Sequence, residues 1–153
     1  MWDEADLIAD GFERVHIELD WYDGPRAGIA DLNGEPHYFD SDDCTLGGAL
    51  EEYRVWPAST DAVALELEQW AIYVGWNQRY LAGEVGVDTH PGHGGVDKRY
   101  DELTALLAPY RQIPANARKL RAEVRFDQSD HYRIGGTNVW FRWHPGTDLD
   151  SGA

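Results

Sequence analysis

An Asn33-Gly34 pair set between two short runs of strand-forming residues constrains this chain more than any other feature. A two-residue type I′ turn needs positive φ at both central positions, and Asn-Gly is the pair that adopts it most readily. Residues 27–32 and 36–39 are therefore expected to form a tight antiparallel hairpin. Upstream, Val15, Ile17, Leu19 and Trp21 alternate with His16, Glu18 and Asp20, the period of a half-buried strand. Asp23-Gly24-Pro25 supplies a turn between this run and the next. Residues 52–56 add a fourth strand, which Pro57 ends. Consecutive antiparallel strands of this length form a meander, and the glycines among residues 22–39 are compatible with a small, curved, SH3-like sheet.

The pattern then changes period. Ser59-Thr60-Asp61 offers a helix N-cap. Beyond it Val63, Leu67, Trp70, Val74 and Leu81 fall near helical spacing, with Glu66, Gln69, Tyr73 and Asn77 on another face. This helix is expected to end near Gly83. Residues 87–95, with Pro91 and several glycines, read as loop. A second helix spans 96–109, with Tyr100, Leu103, Leu106 and Leu107 on one face. Residues 120–126 and 139–143 alternate again and predict two more strands, loosely connected through Gly135-Gly136. The expectation is one α+β domain over 1–153: an N-terminal antiparallel β-meander, two central helices and a C-terminal two-stranded β-ribbon. Residues 1–12 read as an acidic lead-in, with Trp2, Leu7, Ile8 and Phe12 available to dock on the core, and residues 147–153 as a frayed tail.

Seven Trp, eight Tyr and four Phe in 153 residues argue for a packed core, because so much aromatic surface is costly to leave in water. The formal net charge is −15, and it is unevenly placed. The first sixty residues hold 15 acids against Arg14, Arg26 and Arg54, whereas the remainder holds 13 acids against 10 bases. Such a field attracts basic partners and cations, and it repels nucleic acid and anionic membranes. No stretch approaches the roughly 20 apolar residues of a membrane span. The richest, 62–81, is interrupted by Glu66, Glu68, Gln69, Asn77 and Arg79. A lone Cys44 makes no internal disulfide, and no secretory signal precedes the first element. Both predict a cytoplasmic protein.

Several groups of residues are candidates for function. Trp21, Tyr22, Asp23 and Arg26, with His37 and Tyr38 across the hairpin, and the acids Asp40, Asp42 and Asp43, combine aromatic rings, a guanidinium and carboxylates as binding hot spots do. The bland alternative for these rings is the core of the sheet. His90 and His93, flanked by Asp88 and Asp97, could share a divalent metal ion, although solvated loop histidines show the same spacing. Trp70, Tyr73, Trp76, Asn77 and Tyr80 put aromatics on more than one face of the long helix, the mark of packing between two layers. Arg111, Arg118, Lys119, Arg121 and Arg125 form a basic stretch. In so acidic a chain they are expected to pair internally rather than contact nucleic acid.

No serine lies in a nucleophile elbow, no phosphate-binding glycine loop exists, and Cys44 sits beside Asp42 and Asp43, which oppose thiolate formation. The sequence therefore favours a non-catalytic acidic binding protein that contacts a basic protein partner, in the manner of inhibitors and immunity proteins. The alternative is a metal-binding domain or metal-dependent hydrolase built on the His90/His93 loop. A third possibility is that the acidity serves solvation in a salt-adapted host.

Overall fold

The computed structural model describes residues 3–21, 24–41, 50–126 and 137–145. Six strands, β1 (Glu13–Trp21), β2 (Pro25–Leu32), β3 (Glu35–Asp40), β4 (Glu51–Pro57), β5 (Arg118–Phe126) and β6 (Val139–Pro145), form one closed antiparallel barrel in chain order. Among the described residues three α-helices decorate it: α1 (Glu4–Ala9) before the first strand, and α2 (Thr60–Leu81) and α3 (Lys98–Leu107) between β4 and β5. No helix among the described residues is long and apolar enough to cross a membrane.

The expected hairpin forms at Asn33-Gly34. Asn33 takes φ 54° and Gly34 φ 80°, and strands β2 and β3 pair from Leu32 with Glu35 to Ala27 with Asp40. The Glu13 carboxylate accepts from the N–H groups of Asn33 and Gly34 at 3.1 and 2.8 Å, tying the turn to the start of β1. Strand β4 adds to β3 as predicted.

The separate C-terminal ribbon is corrected by the structure. Strand β5 pairs with β4 from Glu51 with Ala122 to Val55 with Arg118, and β6 returns to β1 from Glu13 with Phe141 to Val15 with Val139. One six-stranded barrel thus replaces a meander plus ribbon. The physical reason is edge satisfaction: β1 and β4 would each expose unpaired backbone groups, and two further strands of matching alternation close the ring. A long excursion of helix and loop separates β4 from β5, so no local signal announces that pairing.

Alternate residues of the strands fill the barrel. Val15, Ala30, Leu32, Phe39, Tyr53, Val55, Leu120, Ala122, Val139 and Phe141 make its interior cluster. Within it Phe39, Tyr53 and Phe141 lie with ring centroids 4.9–5.2 Å apart, in edge and stacked geometries. Tyr53 donates its hydroxyl to Pro25 O at 2.7 Å. A second cluster lies outside the barrel wall, where Ile17, Ile29, Tyr38 and Trp56 meet Ala58 and α2 residues Ala62, Trp70 and Val74. The lead-in is a short helix: Asp3 caps α1, and Leu7 and Phe12 cover Trp140.

Strand β1 departs from simple alternation. Val15 and Ile17 face consecutive residues Ala30 and Ile29 of β2, a bulge that turns Val15 into the barrel and Ile17 outward beneath α2. A further shift lies between Glu18 and Asp20. Gly28 answers the first distortion, because a Cβ there would lie 2.1 Å from Ile17 O and 3.0 Å from the Phe39 ring.

Helix α2 also differs from its predicted face. Its buried residues are Ala62, Glu66, Gln69, Trp70, Val74 and Trp76, whereas Leu81 is 75% exposed. Glu66 and Gln69, assigned to another face, are thus part of the buried side. They are buried because α3, and the turn after it, supply polar partners.

Candidate functional site

The bulged end of β1, the middle of α2 and the segments that follow enclose a half-open cavity of about 360 Å³. Its walls are Ile17 to Trp21 from β1, Glu66, Gln69, Trp70 and Tyr73 from α2, His90 from the loop, Tyr100 from α3, and Arg111. Three of the candidate groups seen in the sequence meet here: Trp21 from the hairpin set, Trp70 and Tyr73 from the aromatic helix, and His90 from the histidine loop. Arg111, first of the basic stretch, joins them.

One polar network forms the back of the cavity. Glu66 is 1% exposed. It accepts from Arg111 Nε at 2.9 Å and Nη2 at 2.6 Å, and from the Tyr38 hydroxyl at 2.8 Å. Arg111 Nη2 also donates to Gln69 Oε1 at 2.6 Å, while Gln69 Nε2 donates to Tyr100 O at 3.0 Å and Thr104 Oγ1 at 2.8 Å. The fork geometry of guanidinium and carboxylate holds both charges in place and cancels them. Burial, reinforced by the neighbouring Glu66 carboxylate, pushes the Tyr38 hydroxyl far above its ordinary value. Burial likewise raises the Tyr100 hydroxyl.

Glu18 contributes wall rather than charge. The residue is 8% exposed, and its two carboxyl oxygens are closed off from solvent. Burial pushes its carboxyl from 4.5 up to about 8, so it holds its proton at neutral pH. Asp20, by contrast, is exposed at the rim. His90 is held below its ordinary value by burial first and by His93 second, which keeps the imidazole neutral. Its Nδ1 accepts from Gly92 N at 2.9 Å, and its ring lies 4.5 Å from Trp76 and 5.6 Å from Tyr73.

The structure brings His90 and His93 together, with ring centroids 5.2 Å apart. His93 Nε2 donates to Val87 O at 3.2 Å. Asp97 accepts from Tyr100 N at 2.9 Å as the cap of α3, and Asp88 lies exposed in the short turn Val87–Thr89. Among the described residues no group of three His, Cys, Asp or Glu side chains is gathered as a metal site.

The hairpin candidates separate. Trp21 lies edge-on to Phe126 at 5.0 Å and borders the cavity. Tyr38 and Arg26 are buried, the first beneath α2 and the second bonded to Glu51 at 3.2 Å. His37 donates from Nδ1 to Glu35 O, and Asp40 is half-buried at the end of β3. Tyr22, Asp23, Asp42 and Asp43 lie outside the described residues.

The basic stretch also disperses. Arg111 serves Glu66, Arg125 lies 3.8 Å from Glu123, and Arg121 donates to Pro145 O at 2.9 Å. Sequence reasoning missed Glu18, Glu66, Gln69 and Tyr100. Glu66 and Gln69 carry a readable signal, two polar residues three apart inside an apolar helix face. Glu18 carries none, because only the bulge turns it into the protein.

Comparison with known proteins finds no match: no family model, no curated protein and no solved structure aligns significantly with the chain.

Proposed function

We propose that this chain is a non-catalytic binding domain that recognises a basic protein surface, an inhibitor-like or immunity-protein-like role. The observation that carries the reading is the disposition of charge. Arg14, Arg26, Arg99, Arg111, Arg125 and Arg142 are each engaged by a carboxylate of the same chain. Asp3, Asp6, Asp20, Glu35, Asp61, Glu84 and Asp88 remain exposed. Arg79, Lys98 and Arg118 are exposed too, but they are fewer than these acids, and the outward field of a chain carrying −15 is acidic. A field of that sign speeds encounter with a basic partner and selects against acidic ones.

The cavity supports the same reading. It is walled by rings that supply contact area and by a polar network already satisfied internally, an arrangement that favours binding over proton or group transfer. The test starts with the untagged protein purified from its own source at low ionic strength. A basic protein that co-purifies is identified by mass, remade in pure form and titrated back by calorimetry. The reading predicts a stoichiometric complex whose affinity falls as salt rises. Failure to reconstitute it, or an affinity indifferent to salt, overturns the reading.

A further inference from the structure

We infer that the cavity between β1, α2 and α3 binds a small uncharged molecule through a carbonyl oxygen, with the Tyr100 hydroxyl, the His90 Nε2–H and the Arg111 Nη1 group as its donors. The inference goes beyond the reading above and does not depend on it.

Donors outnumber acceptors on these walls. Arg111 gives Nε and Nη2 to Glu66 and Gln69. Its Nη1 group, on the far edge of the planar guanidinium, bonds no acceptor among the described residues, and the side chain stays 25% exposed. Tyr100 is anchored to the same network, since its carbonyl accepts from Gln69 Nε2 at 3.0 Å. Burial raises its hydroxyl, which therefore keeps its proton, and Arg111 and Glu66 both act on it, so it lies beside the fork. That hydroxyl also bonds no acceptor among the described residues. His90 Nδ1 accepts from Gly92 N at 2.9 Å, so the neutral ring carries its hydrogen on Nε2. This N–H is the third donor without a described acceptor. The nearby acceptors are spent: Glu66 receives Arg111 and Tyr38, and Gln69 receives Arg111.

Charge selects the class of ligand. Glu66 cancels Arg111, the His90 imidazole is neutral, and the Glu18 carboxyl holds its proton at neutral pH. The inner wall is thus balanced in charge while rich in donors. An anion would add a charge that only breaking the fork could compensate, in a chain already carrying −15. A cation would face donors. An apolar molecule would cover the three donors and leave them unbonded, which is costly. A carbonyl oxygen meets them with its lone pairs and brings no charge. The volume, about 360 Å³, lies in the small-ligand range. Trp21, Trp70 and Tyr73 pack against neighbouring rings and serve as wall, so recognition falls to the donors.

The experiment titrates the full chain with three probes on one ring skeleton: cyclohexanecarboxamide, cyclohexanecarboxylate and cyclohexylmethylammonium. Calorimetry gives affinity, and nitrogen-15 NMR follows the His90 ring and the Arg111 guanidinium. We expect the carboxamide to saturate with a dissociation constant on the order of millimolar and to shift both side-chain signals. The carboxylate and the ammonium are expected to bind at least about tenfold more weakly. Tyr100→Phe and His90→Phe each keep a ring and remove one donor, and each is expected to weaken carboxamide binding about two- to tenfold, the range of one hydrogen bond. Circular dichroism shows whether each variant is folded, and either one folded suffices for the comparison.

Three results overturn the inference: the carboxamide fails to saturate or leaves the His90 signal unmoved, either charged probe binds as tightly as the carboxamide, or the folded variants bind as wild type does. Failure here leaves the basic partner untouched. Failure to reconstitute a complex with a basic protein leaves carboxamide binding untouched.

Discussion

Replacing Glu18 with glutamine tests the buried carboxyl directly, because its effect depends on pH in a way that a packing change does not. Glu18 titrates near 4.5 when unfolded and near 8 when folded, a rise caused by burial. Below the lower value both states are protonated, and the folded state has its full stability. As pH rises through the window the unfolded chain releases this proton and the folded chain keeps it, so stability falls by about 1.4 kcal/mol per pH unit. The loss levels off once pH passes the folded value. Between about pH 5 and about pH 7.5 the wild type should lose about 3 kcal/mol through this residue, a sizeable part of the 5–15 kcal/mol typical of a domain.

The amide of the Glu18→Gln variant cannot titrate. Urea unfolding of both proteins at the two pH values therefore isolates the residue, since every other titrating group cancels in the difference. The amide differs from a protonated carboxyl in its hydrogen bonding, which adds an offset at both pH values without changing their difference. We expect the variant to gain about 3 kcal/mol on the wild type between the lower and the higher pH. A difference that stays constant within about 0.5 kcal/mol refutes the claim that burial keeps this carboxyl protonated.

Other expectations follow from single contacts. Arg111→Ala leaves the buried Glu66 carboxylate without its fork, and urea unfolding should show a loss of about 3–5 kcal/mol. Combining Arg111→Met with Glu66→Leu should recover much of that loss. Gly28→Ala places a methyl group 2.1 Å from Ile17 O; the thermal midpoint should fall by the equivalent of about 3 kcal/mol or more, or the protein should fail to fold. Glu13→Ala removes the acceptor for Asn33 and Gly34 N–H, with a loss of about 1 kcal/mol by the same assay. Proton NMR should find His90 titrating below the ordinary 6.5, while a midpoint at or above that value contradicts its burial.

What could be read along the chain was local. The Asn33-Gly34 turn, the six strand segments and the two helices after residue 59 follow from backbone conformations and periodicities that neighbouring residues impose on one another. Tertiary structure decided the rest. Closure of the barrel depends on β5 and β6 reaching β4 and β1 across long sequence separations, and no residue encodes that pairing by itself. The burial of Glu66 and Gln69 became favourable only when Arg111 and α3 arrived to bond them. His90, a candidate metal ligand by its spacing, lies among the rings of α2 because the loop folds back onto that helix. The cavity exists because a bulge in β1 reverses the facing of its side chains, and a bulge is a property of two paired strands rather than of either alone. Local conformational preference was therefore legible in the sequence, whereas the cost of burying a charge or leaving an edge unpaired is settled only once distant residues meet.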